Sequence, residues 1–106
     1  MAKNKRSDKP TYRLYQVKQL AAAPQSHTAS GQARRRADKD FGWNVVDIAE
    51  AIQNLEPEHF HESYELDFYP GCMGDVYIYP IEGDEYAYIK FYLDDEDHLW
   101  IVSCHK

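Results

Sequence analysis

The spacing of apolar residues in the first half of the chain predicts helices. Leu14, Val17 and Leu20 recur at every third position, which is typical of one face of a helix. We expect this helix to begin at Thr11, whose hydroxyl suits an N-cap, and to end before Pro24. Residues 25–31 are typical of turns, with a short extended piece around residue 27, and residues 32–39 favour a second helix.

The clearest helix signal follows Asn44. Asn44 is a good N-cap, and Asp47 places a carboxylate in the first turn, where the helix dipole favours negative charge. The apolar positions that follow form one stripe: Val45, Ile48, Ile52 and Leu55. Pro57 predicts the end of this third helix, because the residue before a proline disfavours helical geometry.

After Phe60 the period of the pattern changes from 3.6 to 2, which predicts strands. Four runs alternate in this way: residues 62–69, 75–80, 85–93 and 99–105. The links between them are short and rich in Gly, Pro and Asp, which favours an antiparallel meander. The sequence therefore predicts an α+β fold with N-terminal helices packed on one face of a C-terminal sheet.

Alternation within each strand assigns the side chains to two faces of this sheet. The core face is expected to receive Val76, Ile78, Ala87, Ile89, Phe91, Leu93, Trp100, Val102 and Cys104. The opposite face is expected to carry Asp75, Tyr77, Tyr79, Tyr86, Tyr88, Lys90, Tyr92, Ser103 and His105. Two interpretations of the tyrosines stay open. They form either a ladder of cross-strand pairs that only stabilises the sheet, or a platform on which unpaired bases stack.

Length and charge narrow the class of protein. With 106 residues, the chain suits a single domain, which we place at residues 11–106 after a basic, disordered arm at 1–10. Residues 1–46 hold ten Lys or Arg against three Asp, whereas residues 47–106 hold fifteen Asp or Glu against two Lys. A nucleic-acid ligand would therefore rely on cations of the first half. The two cysteines and the lack of a secretory signal or an apolar span predict a cytoplasmic protein.

Several short strings recur in the order and spacing of a known family. They are Val17-Lys18-Gln19-Leu20, Asp75-Val76-Tyr77, Tyr88-Ile89-Lys90-Phe91 and Ile101-Val102-Ser103. In these strings the chain resembles the MqsR family of bacterial type II toxins, which are mRNA interferases with a RelE-like fold. The resemblance implies an endoribonuclease without a cofactor, whose partners are a cognate antitoxin and mRNA, free or on the ribosome.

The resemblance also points to candidate site residues. Such toxins rely on a lysine, a glutamine, a sheet tyrosine and a C-terminal lysine, and here these positions hold Glu62, Gly74, Tyr88 and His105. A carboxylate and an imidazole can divide the work of general base and general acid. We therefore assign Glu62 as base, His105 as acid and Tyr88 as a phosphate ligand. The candidate RNA-binding residues are His61, Tyr77, Tyr79, Lys90, Arg34, Arg35 and Arg36.

Two alternatives stay open. A zinc site built from His59, His61, Cys104 and His105 is the weaker one, because no Cys-x-x-Cys pair anchors it. The other is a catalytically degenerate member of the same fold that binds RNA or a protein partner without cleavage. The acidic C-terminal half favours this second alternative, since it would repel phosphate.

Overall fold

The computed structural model describes residues 5–106. The helices are α1 (Leu14–Ala21), α2 (Gly31–Phe41) and α3 (Val45–Gln53). The strands are β1 (Arg6–Ser7), β2 (His27–Ala29), β3 (Phe60–Leu66), β4 (Tyr69–Ile81), β5 (Glu85–Leu93) and β6 (Leu99–His105). Short 3₁₀ turns at Pro24–Ser26 and Pro57–His59 precede β2 and β3. Within this part of the chain, no helix is long and apolar enough to cross a membrane.

The strands form one sheet in the order β1-β3-β4-β5-β6-β2. The predicted antiparallel meander is confirmed for β3 to β6. The sheet is nevertheless mixed, because β2 runs parallel to β6. Its two edge strands come from the N-terminal half, so the sheet is not purely C-terminal. The α+β class is confirmed.

Residues 5–7, which belong to the arm that was expected to be disordered, pair with the sheet. Arg6 and Ser7 pair antiparallel with Tyr64 and Ser63, and the amide of Glu65 donates to the carbonyl of Lys5 at 2.8 Å. Residues 1–4 lie outside the described residues. The sequence pattern missed β1 because a two-residue edge strand has no periodicity of its own.

The N-terminal caps of α1 and α3 differ in origin. For α3 the predicted cap is confirmed, since Asn44 and Asp47 each accept a hydrogen bond from the other's amide. For α1 the predicted Thr11 cap is wrong, because the helix begins at Leu14. The amides of Thr11 and Tyr12 instead donate to the carboxylate of Asp75 at 2.9–3.0 Å. A buried side chain of β4 thus holds the segment that leads into α1.

The core lies between the helices and one face of the sheet. Helix α2 packs on β6 through the buried, small Ala33 and Ala37, which allow a close approach. Helix α3 contributes Ile48 and Ile52, both fully buried, and packs beside α1. At about 25 cal/mol per Å² of apolar area removed from water, this layer is the main stabilising contribution. We call the opposite face the open face, since no helix of residues 5–106 packs on it.

The predicted facing of β4 is wrong. Tyr77 and Tyr79 lie opposite Ile89 and Ala87, so they point to the core together with Asp75. Tyr77 is only 1% exposed, and its ring stacks on Phe91 at a centroid distance of 5.5 Å. Val76 and Ile78 point to the open face instead, opposite Lys90 and Tyr88. The side chains on both faces of this central strand are largely buried. Alternation therefore predicted the period of the strand, but not which of its residues face the core.

The predicted facing of β6 is confirmed only in its second half. Ser103 and His105 lie opposite Lys90 and Tyr88 on the open face, as expected, and Cys104 is buried. Trp100 was expected in the core but lies opposite Tyr92, whereas Leu99 and Ile101 fill the core. An irregularity in the pairing after Ile101 shifts the register by one residue. A bulge of this kind reverses the facing of the residues beyond it.

Candidate nucleic-acid interface

Three side chains form a hydrogen-bonded cluster at the centre of the open face. Lys90 Nζ donates to the hydroxyl of Tyr64 at 2.9 Å, and the hydroxyls of Tyr64 and Tyr88 lie 3.1 Å apart. The two phenols share one hydrogen between them, so whichever of them donates, the other keeps its O–H. The cluster therefore presents one phenol hydrogen and further ammonium hydrogens of Lys90 to an incoming anion.

His105 extends this cluster towards β6. Its ring stacks on Tyr88 with a centroid distance of 4.8 Å and an interplanar angle of 17°. Its Nδ1 lies 2.7 Å from the main-chain oxygen of Lys106, which accepts the hydrogen bond. The imidazole is thus held by stacking and by Nδ1, and with Nδ1 protonated in this way, Nε2 carries a proton only in the imidazolium.

Glu62 lies on the other side of the cluster. It is a residue of β3 and lies directly opposite Val76 of β4. Its Oε1 accepts a hydrogen bond from Arg6 Nη1 at 2.6 Å. The imidazole of His61 approaches Glu62 Oε2 at 3.9 Å. These residues line an open groove of about 490 Å³ together with Ser7 and Asp8.

Glu62, the assigned base, and His105, the assigned acid, lie on the same face of the sheet but are not in contact. Three strand-to-strand steps separate β3 from β6, or about 14 Å at the usual spacing of about 4.8 Å. Tyr88 on β5 lies between Glu62 and His105. Burial raises the pKa of the Tyr88 hydroxyl; the hydrogen bond with Tyr64 and the charge of Glu62 raise it further, and Arg6 lowers it. Tyr88 therefore stays protonated at neutral pH and acts as a hydrogen-bond donor.

An aromatic group continues the open face beyond Lys90. The ring of Tyr92 lies 5.7 Å from that of Tyr69 and 6.2 Å from that of Phe68. Phe68 is 62% exposed, which is unusual for so large an apolar side chain. Exposed rings of this kind offer stacking surfaces to unpaired bases.

Several predicted RNA-binding residues lie elsewhere. Tyr77 and Tyr79 were expected on the open face, but both belong to the core face, where Tyr79 packs edge-on against His59. Arg34, Arg35 and Arg36 are exposed on α2. At the end of β6, the amide of Lys106 donates to the carboxylate of Asp40 and lowers its pKa, and the charge of Arg36 lowers it further. The end of α2 therefore lies close to the end of β6, next to His105.

Gly74 lies close to Leu66, so a side chain at this position would have to displace it. A Cβ at Gly74 would lie 2.6 Å from Leu66 Cδ2 and 3.5 Å from Lys90 Cδ. Leu66 is itself 1% exposed and fills this space. Among residues 5–106, no three His, Cys, Asp or Glu side chains group closely enough to hold a metal ion.

The pattern of the sequence missed two residues of this site. Tyr64 is two positions after Glu62 in the same strand, so alternation alone assigns it to the same face. Arg6 had no such signal, since only the pairing of β1 with β3 brings it to Glu62.

The fold and this face define a small α+β domain whose open sheet surface carries cations, phenols and an imidazole. The family model described as "Motility quorum-sensing regulator, toxin of MqsA" matches residues 9–106. The chain therefore belongs to this family, and it is a toxin of a toxin–antitoxin pair. No curated protein matches the chain.

Proposed function

We propose that this toxin is an endoribonuclease that cleaves mRNA on its open face and so inhibits translation in the cytoplasm. Its cognate antitoxin neutralises it by direct binding. The observation that carries the proposal is the cluster of Lys90, Tyr64 and Tyr88, with His105 stacked on Tyr88. This cluster gathers hydrogen-bond donors for a phosphate and an imidazole that can act as a general acid.

In this mechanism the 2′-hydroxyl of a ribose attacks the adjacent phosphorus. Glu62 takes the proton of the 2′-hydroxyl, and Lys90 and Tyr88 donate hydrogen bonds to the phosphate oxygens as negative charge builds up. The bond from phosphorus to the 5′-oxygen breaks, and the imidazolium of His105 gives that oxygen its proton. The products are a 2′,3′-cyclic phosphate and a 5′-hydroxyl.

In-line attack places the nucleophile and the leaving group on opposite sides of phosphorus. Base and acid must therefore flank the phosphate, as Glu62 and His105 flank Tyr88 in the sheet. Neighbouring bases would stack on the aromatic group of Phe68, Tyr69 and Tyr92. His61 at one end and Arg34, Arg35 and Arg36 at the other would contact the flanking backbone.

The test is cleavage of single-stranded RNA by the purified chain, with identification of the new ends. We expect 2′,3′-cyclic phosphate ends, and a rate that falls about 100-fold or more in His105→Ala. His59→Ala is the matched control, because it removes a histidine that packs on Tyr79 at the core side of β4. Equal rates in both variants would remove His105 from the mechanism.

The separation of about 14 Å between β3 and β6 favours a second candidate function. A base and an acid so far apart suit a protein that binds RNA on the same face without cutting it. Fluorescence anisotropy with labelled RNA distinguishes the two functions. Binding without cyclic phosphate ends, and without growth arrest on induced expression, would favour the second function.

A further inference from the structure

The N-terminal strand brings an arginine to the open face. Arg6 lies directly opposite Tyr64 in the pairing of β1 with β3, so its side chain shares the face of Tyr64. The bond from the Glu65 amide to the Lys5 carbonyl, 2.8 Å long, fixes this short strand on the edge of the sheet. Arg6 is thus positioned by main-chain pairing as well as by its ion pair.

Arg6 and Lys90 flank the same aromatic ring. The guanidinium carbon of Arg6 lies 5.6 Å from the centroid of Tyr64, and Lys90 Nζ lies 5.0 Å from it. Both distances are within the range of cation–π attraction. An anion bound beside this ring would therefore lie within reach of hydrogen-bond donors of both Arg6 and Lys90.

The ion pair with Glu62 is weak enough to be exchanged. The side chain of Arg6 is 69% exposed and that of Glu62 is 29% exposed. Exposed pairs of this kind contribute at most about 1 kcal/mol, because water screens them. Arg6 makes one hydrogen bond to Glu62, through Nη1, whereas a guanidinium has five N–H donors in a planar fork that matches two phosphate oxygens.

We propose that Arg6 is a phosphate-binding residue of this site, supplied by the N-terminal strand. The inference rests on the proposed function of the open face. When RNA binds, Arg6 turns its fork from Glu62 to the phosphate at the cleaved bond. The same movement releases the carboxylate of Glu62, which then accepts the proton of the 2′-hydroxyl. Without RNA, the ion pair holds Arg6 at its place.

The test compares Arg6→Gln and Arg6→Lys with Lys5→Gln. Lys5 is the matched control, because it is the preceding residue of the same segment, it is exposed, and its substitution removes the same charge. RNA affinity is measured by anisotropy in the His105→Ala background over a range of salt concentrations. Cleavage is measured with His105 intact, as KM and kcat.

We expect Arg6→Gln to weaken RNA affinity about 10-fold, and Arg6→Lys to weaken it less, since lysine keeps the charge but loses the fork. The slope of log affinity against log salt should fall by about 0.7 in Arg6→Gln, the value for one contact to single-stranded nucleic acid. Lys5→Gln should change affinity by less than about twofold, as expected of a charge without a phosphate contact.

Four results would overturn the inference. If Arg6→Gln and Lys5→Gln lost the same RNA affinity, the effect of Arg6 would come from its charge alone and not from a phosphate contact. If Arg6→Gln cleaved RNA faster than the wild type, Arg6 on β1 would inhibit cleavage and not assist it. A wild-type chain that neither binds nor cleaves RNA would remove the proposed function and Arg6's role with it. If the wild type cleaves RNA and Arg6→Gln equals it in KM and affinity, only the role of Arg6 is lost.

Discussion

Replacing Asp75 with alanine tests how the N-terminal segment is held to the sheet. The carboxylate is fully buried and accepts the amides of Thr11 and Tyr12 at 2.9–3.0 Å. The substitution leaves both amides without this acceptor. Each such unsatisfied group costs about 1–3 kcal/mol when buried.

The exposure of the two amides sets the magnitude. Thr11 is exposed and Tyr12 is half-buried, so water replaces part of the loss and the lower part of the range applies. We expect Asp75→Ala to lower the free energy of unfolding by about 3 kcal/mol in total. For a domain of this size, that corresponds to a fall in Tm of roughly 12 °C or more. Asp75→Asn keeps one acceptor oxygen, so it should lose about half as much.

The assay is urea unfolding at pH 7, followed by tryptophan fluorescence. Asp95→Ala is the control, because Asp95 is an exposed carboxylate in the turn between β5 and β6. Substitution at such a surface position should change stability by no more than about 0.5 kcal/mol. If Asp75→Ala lost no more than this control, the carboxylate would not be what holds the segment. Well below its Tm, Asp75→Asn should bind RNA like the wild type, because Asp75 faces the core side of β4.

Two further predictions concern the packing of Gly74 and the stability at alkaline pH. Gly74→Ala should lower the free energy of unfolding by about 1–3 kcal/mol, because its Cβ would lie 2.6 Å from Leu66 Cδ2. The double variant Gly74→Ala with Leu66→Ala should lose less stability than the sum of the losses in the two single variants. Simple additivity in urea unfolding would refute this contact. Burial raises the pKa of Tyr77 from 10.0 to about 12, and that of Cys104 from 9.0 to about 12. The folded state thus favours the neutral forms of both groups. The contribution of these groups to stability should be full below pH 9 and should be lost as the pH rises towards 12. An unchanged free energy of unfolding from pH 8 to pH 11 would contradict this prediction.

The elements that the sequence predicted well are those set by local interactions. The third helix begins at its Asn44 cap because both partners of the capping box lie within one turn. Strands β5 and β6 have the predicted bounds, since each alternates and is flanked by turn residues. Arg6 shows the opposite case. Its place on the open face depends on a pairing with Tyr64, which lies far along the chain and leaves no local pattern.

The facing of β4 shows why two of the five candidate stacking tyrosines, Tyr77 and Tyr79, were misassigned. Val76 is fully buried on one face of this strand, and Tyr77 is 1% exposed on the other. Alternation identifies a facing only when one set of residues is polar. Here Asp75 was the polar signal, and it pointed the wrong way, because its carboxylate is buried by hydrogen bonds to amides of another segment.

The charge at the site follows from the same long-range contact. A lone carboxylate at Glu62 would repel a phosphate from Tyr88 and Lys90. Arg6 Nη1 lies 2.6 Å from Glu62 Oε1, so the guanidinium neutralises the carboxylate. The charge of Lys90 then makes the centre of the open face positive. Removing Arg6 should therefore be worse for RNA affinity than removing both charges together. Arg6→Gln combined with Glu62→Gln should bind RNA more tightly than Arg6→Gln alone, and a weaker double variant would show that Glu62 does not repel the ligand.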